Sequence, residues 1–232
     1  MNQPLLELPI AGGRPLLCTQ SNGTPPGIQG NSHSAVNCLY ALDFVCPTDP
    51  RPRIHAAHAG RVSYVFLDAD ESLLTGDGWG NSVRLDHADG FFTLYAHLAE
   101  VNVDVGQETS CGAPLGLMGD TGNTGYRHLH FSFHRGSGKG WDGRAALPME
   151  RIRCWTEASG ETELSSQEFA WSYHVAWPNR NIYVSLNGWT TGSLDACVLR
   201  RSVQRLKSHC WMRPWLWLRF RTARRRCGER TP

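Results

Sequence analysis

The sequence predicts a mainly β protein, an antiparallel β-sheet body with few or no helices. Three observations carry this. Short apolar or alternating runs recur between turn signals across residues 39–135, the pattern of half-buried strands. An Asp89-Gly90 pair separates two such runs in RLDHADGFFTLYAHL, a dipeptide suited to a tight hairpin. Apolar spacing for a helical face is missing from this stretch, while 24 glycines and 13 prolines in 232 residues provide many turns.

Taken in order, residues 1–29 read as an extended lead-in rich in Gly, Pro, Asn and Ser, with one or two edge strands. Residues 30–150 hold the main body. Its expected strands are Leu39–Val45, Gly60–Leu67, Ser82–Asp86, Phe91–His97, Pro114–Met118 and His128–His134. Residues 151–196 offer weaker strands near 151–156, 171–177 and 181–186, either completing the body or forming a small appendage.

Charge divides the chain. Residues 197–232 hold 11 Lys or Arg and one acid, Glu229, whereas the rest carries 12 basic and 20 acidic residues. An acidic body argues against nucleic acid as partner, because phosphate contacts need positive charge on the working face. The basic tail also contains Trp211, Trp215 and Trp217, with Pro214 to interrupt a helix. Its composition predicts disorder or, alternatively, a cationic aromatic anchor for an anionic envelope surface. No run of about 18 apolar residues suggests a transmembrane segment, and MNQPLLELPI has no basic start or long apolar core typical of a signal peptide.

The eight cysteines show no Cys-x-x-Cys pair. Their even number and scatter suit an oxidising compartment, with Cys18, Cys38, Cys46 and Cys111 expected in disulfides.

Chemistry concentrates in TGNTGYRHLHFSFHR, residues 121–135. Strand alternation puts His128, His130, Ser132 and His134 on one face and Leu129, Phe131 and Phe133 on the other. Two imidazoles about 7 Å apart at the backbone can serve one metal site, and neutral imidazole is a common zinc ligand. The glycine-rich loop 119–125 leads directly into this strand, with freedom to bring backbone close to a ligand. Asp43 interrupts the apolar run Tyr40–Val45, and a buried carboxylate needs a partner such as a cation. His33 stands ten residues ahead of Asp43, and His97 ends an apolar hairpin strand.

These landmarks, in their order, resemble the lysostaphin-type (β-lytic) zinc metallopeptidases, peptidoglycan endopeptidases. Besides His33 and Asp43 they include Gly80-Asn81-Ser82-Val83, Leu94-Tyr95-Ala96-His97-Leu98, Gly119-Asp120-Thr121-Gly122 and His128-Leu129-His130-Phe131. The resemblance implies a groove across the sheet, with one Zn2+ ion at its floor held by His33, Asp43 and His130. It implies that His97 and His128 are catalytic, standing beside the metal without binding it. Asn81, Tyr95, Thr121 and His134 are expected along the substrate groove, with His55 structural and His87 solvated. The implied function is metal-dependent hydrolysis of peptidoglycan peptides by a secreted, periplasmic or cell-envelope protein. Alternatives are an inactive relative that binds cell wall or a partner, and a zinc peptidase acting on proteins.

Three departures from the family pattern bear on that expectation. The His33 to Asp43 interval is ten residues where four is usual. Arg127 stands where proline or a small residue commonly precedes the histidine pair. Ser132 replaces an acidic residue often found there.

Overall fold

The computed structural model describes residues 2–22, 33, 35–67, 78–136, 145–169, 181–188 and 196–209. In chain order the strands are β1 (Leu6–Glu7), β2 (Pro15–Gln20), β3 (Leu42–Val45), β4 (Arg53–His55), β5 (Gly60–Phe66), β6 (Asn81–Asp86) and β7 (Phe91–Val101). They continue with β8 (Glu108–Thr109), β9 (Pro114–Met118), β10 (Leu129–Arg135), β11 (Ile152–Thr156), β12 (Gly160–Leu164) and β13 (Tyr183–Ser185). One α-helix among the described residues, α1, spans Ala196–His209.

The strands join in the order β1-β11-β13-β2-β3-β10-β7-β6-β5-β8, with β12, β4 and β9 attached to the side. The mainly β expectation holds, and every pairing is antiparallel except β1 with β11. The Asp89-Gly90 signal lies in a short 3-10 turn, Ala88–Gly90, between β6 and β7. Gly90 takes φ +73 there, which suits a residue without a Cβ.

Alternation built the centre. Leu129, Phe131 and Phe133 of β10 enter one core with Leu42 and Phe44 of β3, Tyr95 of β7 and Val83 of β6. The opposite face of β10 turns His130, Ser132 and His134 toward the functional side. His130 pairs in register with Asp43 on β3 and with Ala96 on β7. The site therefore rests on three adjacent strands.

The lead-in meets its expectation in β1, which ends the strand order as an edge strand, but not in β2. β2 is no edge strand: it pairs with β13 on one side and β3 on the other. Its residues are nearly all buried, and a run buried on both faces shows no alternation for a sequence reading to find. Strands of the 151–196 region also enter the same sheet, through β11 and β13. The run expected near 171–177 lies outside the described residues.

The tail begins as structure. Leu199, Val203 and Leu206 of α1 pack with Leu17, Trp155, Ile182, Val184 and Leu186. Apolar positions at i, i+4 and i+7 put all three on one helical face. Disorder is thus corrected for residues 197–209, and the later tail lies outside the described residues.

The disulfides are corrected as well. Cys18, Cys38, Cys46, Cys111 and Cys154 are free thiols. Four of them are buried, where free cysteine acts as a small apolar side chain.

Candidate metal centre

Three polar side chains from distant parts of the chain meet beneath a cleft of about 370 Å3. Asp43 comes from β3, His130 from the facing position on β10, and His33 from the segment before β3. One donor atom from each lies within 4.8 Å of the other two, and all three residues are buried. His33 Nε2 is 3.2 Å from Asp43 Oδ1, and His130 Nδ1 is 3.0 Å from the same oxygen.

Tautomers show what this geometry needs. His33 Nδ1 lies 3.1 Å from the Ser21 carbonyl, which can only accept, so Nδ1 carries the proton. In the neutral ring, Nε2 then turns a lone pair toward a carboxylate oxygen. Two electron-rich atoms that close need a cation, either a proton or a metal ion. His130 Nε2 is buried without a hydrogen-bond partner, a second sign of an incomplete polar network. A tetrahedral ion with bonds of about 2.1 Å would set its ligand atoms roughly 3.4 Å apart. The observed spacings and the two-imidazole, one-carboxylate donor set fit a divalent metal ion.

The electrostatics agree. Burial opposes ionisation of Asp43, but His33, His128 and the hydrogen-bonding imidazoles overcome it and hold the carboxyl well below its usual range. Burial also pulls His33 toward neutrality, yet Asp43 reverses this and raises its pKa. Burial dominates at His130 and lowers its pKa to about 4. A proton on His33 balances Asp43 when no metal is bound, so proton and metal compete for one place.

His97 and His128 stand beside this trio, with ring centroids 4.7 Å apart. His97 Nδ1–H donates to the Thr121 carbonyl at 2.8 Å, leaving Nε2 as an acceptor. Burial first, then the neighbouring imidazoles of His128 and His130, lower its pKa to about 3. His128 Nδ1–H donates to the Tyr126 carbonyl at 2.9 Å, and its Nε2 lies 3.4 Å from Asp43 Oδ2.

His97 reaches the site through an irregularity. Its φ of +62 makes it the one non-glycine residue with positive φ among those described, a conformation costing about 1–3 kcal/mol. The β6–β7 register shifts between Asn81 and Val83, the partners of Leu98 and Tyr95. The β7 residue left over in this bulge turns the following side chain to the other face. Its surroundings fix the strained residue, since the backbone N–H of His97 also donates to the Trp79 carbonyl at 2.9 Å. Beneath it, Gly80 and Gly122 bring two loops into backbone contact, and a Cβ on Gly122 would strike Gly80.

The expected groove residues separate. Thr121 is buried and works from below: its hydroxyl donates to the Leu98 carbonyl and accepts from the Asn81 backbone N–H. Asn81 is buried too and does not line the cleft. Tyr95 belongs to the core, where its hydroxyl accepts from the Ala57 N–H. His134 is fully buried, with Nδ1–H donating to Ala145 and Nε2 accepting from Ser132. His87, expected in solvent, is buried with Nδ1 against the Ala59 carbonyl and Nε2 2.9 Å from Thr93 Oγ1. His55 is partly buried and its Nδ1–H donates to Gly112, a structural role.

The sequence reading missed Trp79 and Tyr126, which form aromatic walls of the cleft with Asn37 and Cys38 nearby. Trp79 lies 4.6 Å from His130, centroid to centroid, and Tyr126 lies 4.5 Å from His128. Their positions inside Gly78-Trp79-Gly80 and beside the glycine-rich loop were the available signal.

Residues 39–142 match the model of peptidase family M23. The chain is 45% identical over 53 residues to cell division protein DipM of Caulobacter vibrioides, covering 23% of this chain and 9% of that protein. It is 40% identical over 52 residues to peptidoglycan DD-endopeptidase ShyA of Vibrio cholerae, covering 22% and 12%. It is 32% identical over 108 residues to glycyl-glycine endopeptidase ALE-1 of Staphylococcus capitis, covering 46% and 26%. These matches thus span a minor part of each relative. His33 lies outside the matched 39–142 stretch, although the fold returns it to the centre. Within those residues the chain is similar to a peptidase family M23 domain, that of the lysostaphin-type metallopeptidases.

Proposed function

We propose that the protein is a zinc metalloendopeptidase that hydrolyses peptide cross-links of bacterial peptidoglycan in the cell envelope. The single observation carrying this reading is the convergence of His33, Asp43 and His130, with His97 and His128 alongside. A relative named as a peptidoglycan DD-endopeptidase and another named as a DD-carboxypeptidase/endopeptidase support the substrate class.

His33, Asp43 and His130 would hold the zinc ion. When bound, that ion would lower the pKa of a water toward neutrality and polarise the scissile carbonyl. The protein's remaining work is proton handling. His97 Nε2 and His128 Nε2 both carry lone pairs in the neutral rings, because each Nδ1–H is engaged by a backbone carbonyl. One accepts the proton of the attacking water; the other, once protonated, donates to the developing oxyanion or the leaving amine. The Trp79 and Tyr126 walls exclude water from one side of the reacting bond and orient an extended peptide along the cleft.

The test is digestion of purified cell walls by the zinc-loaded protein, with released fragments read by mass spectrometry, beside a casein control. Chelator-sensitive release of wall peptides is expected. Stoichiometric zinc without release would favour an inactive wall-binding relative, and cleavage of casein alone would favour a protein peptidase.

The basic C-terminal segment supports a second contact, with an anionic envelope surface. Arg200, Arg201 and Arg205 of α1 are exposed, opposite in sign to the acidic body. Replacing the three arginines with glutamine should weaken binding to anionic envelopes while sparing hydrolysis of soluble peptides, and unchanged binding would end this reading. Deleting the whole of 197–232 is a poorer test, because Leu199 and Val203 anchor the helix in a core.

A further inference from the structure

We propose that Tyr126 is a positioning residue for His128, fixed by a hydrogen-bond latch through Thr19. This rests on the reading of His128 as a catalytic group.

Tyr126 holds His128 twice. Its carbonyl accepts the Nδ1–H at 2.9 Å, and its ring stacks on the imidazole with centroids 4.5 Å apart and planes inclined by 27°. The first contact sets the tautomer, and the second restricts rotation of the ring. Both depend on Tyr126 staying in place at the end of the 119–125 loop.

The tyrosine hydroxyl is tied down. Thr19 Oγ1 lies 3.1 Å from the Asp43 carbonyl and 2.9 Å from Tyr126 Oη. A carbonyl only accepts, so the threonine spends its one proton on Asp43. The Tyr126 hydroxyl must therefore donate to Thr19. The resulting chain runs Tyr126 O–H to Thr19 O–H to the Asp43 carbonyl. It closes into a ring, since the Asp43 carboxylate lies 3.4 Å from His128 Nε2. The latch thus joins the metal-binding strand to the catalytic histidine.

The backbone is shaped for it. The β2–β3 register shifts between Cys18 and Gln20, which leaves Thr19 in a bulge. A bulge re-aims one side chain while pairing continues on both sides. Two residues later, the Ser21 carbonyl accepts the His33 Nδ1–H. The end of β2 therefore steadies both halves of the centre. It also lies outside the 39–142 stretch that matches the family, so this support is supplied by the chain's own N-terminal strand.

The experiment compares full-length, zinc-loaded wild type with Tyr126→Phe, Thr19→Val, the double variant and Thr19→Ser. The readouts are kcat and KM on wall peptides, zinc stoichiometry, and the 15N spectrum of the His128 imidazole. Loss of the latch should lower kcat about tenfold in either single variant, with KM within about twofold and zinc retained. The double variant should be no worse than either single one, as expected for a shared bond. Thr19→Ser, which keeps the hydroxyl, should behave as wild type. The His128 signals should change from one Nδ1–H tautomer to an exchanging mixture in Tyr126→Phe. An unchanged tautomer with unchanged kcat would overturn the proposal. So would an effect on KM alone, or additive losses in the double variant. If wild type cleaves no wall peptide, the functional reading fails separately, and the imidazole spectrum still decides the latch.

Discussion

His130 and His134 lie four residues apart on the same face of β10, both buried, yet they are in opposite conditions. At His134 every ring nitrogen has a partner, one in the Ala145 carbonyl and one in the Ser132 hydroxyl. The ring also stacks on Phe92 at 4.8 Å, and Arg84 lies over the same phenylalanine at 3.7 Å. At His130 one ring nitrogen meets a carboxylate already faced by His33, and the other has no hydrogen-bond partner. The same residue type on the same strand face is closed in one place and open in the other. Histidine content and alternation find both; only the partner count separates a closed structural histidine from one left open to a ligand.

The most severe way to break the contrast is to remove the shared carboxylate. Asp43→Asn should abolish stoichiometric metal binding and reduce wall-peptide hydrolysis by at least about 10³-fold, since polarisation by the ion contributes several kcal/mol. Metal content and initial rates measure the two effects. His97→Ala and His128→Ala should act differently, keeping the ion while kcat falls by about 10²–10⁴-fold. Normal turnover in either variant would remove that residue from the chemistry.

Closed histidines should reveal themselves through stability. Burial, then the nearby positive potential of His58, lowers the His87 pKa to about 4 against an unfolded value of 6.5. Between those values the unfolded chain binds more protons than the native one, so stability rises with pH. It is fully present above about pH 6.5 and is lost as pH falls toward 4. The lowered pKa corresponds to about 3 kcal/mol over that window at 1.36 kcal/mol per unit. Denaturant titrations should show this acid loss, and His87→Gln should flatten it; an unchanged pH profile would contradict the argument. Ser132→Ala has the smallest effect, about 1–3 kcal/mol from stranding His134 Nε2. Thermal unfolding should register it while zinc content and kcat stay at wild-type values.

The same contrast explains what could be read from sequence. Six central strands were visible because alternation and turn residues agree there, and Asp43 stood out as a carboxylate in an apolar run. The ordered landmarks pointed to His33, Asp43 and His130, whose side chains the fold brings together. Tyr95 was misplaced for a definite reason: alternation puts it on the face of His97, but the bulge between them sends tyrosine into the core and histidine to the cleft. Thr19 was invisible for the same cause, a register shift that no local composition announces. His134 was misread because its neutralising partners, Ala145 and the hydroxyl of Ser132, are fixed by tertiary contact. α1 was concealed by the charge of the tail around it, although Leu199, Val203 and Leu206 lie on one face.

The central claim is that His33, Asp43 and His130 share one divalent ion. Its most direct test is elemental analysis of the purified full-length protein beside Asp43→Asn and His130→Ala, each dialysed against the same zinc buffer. One zinc per chain in wild type and far less in both variants is the expected result. Equal zinc in all three proteins, or none in wild type, would contradict it.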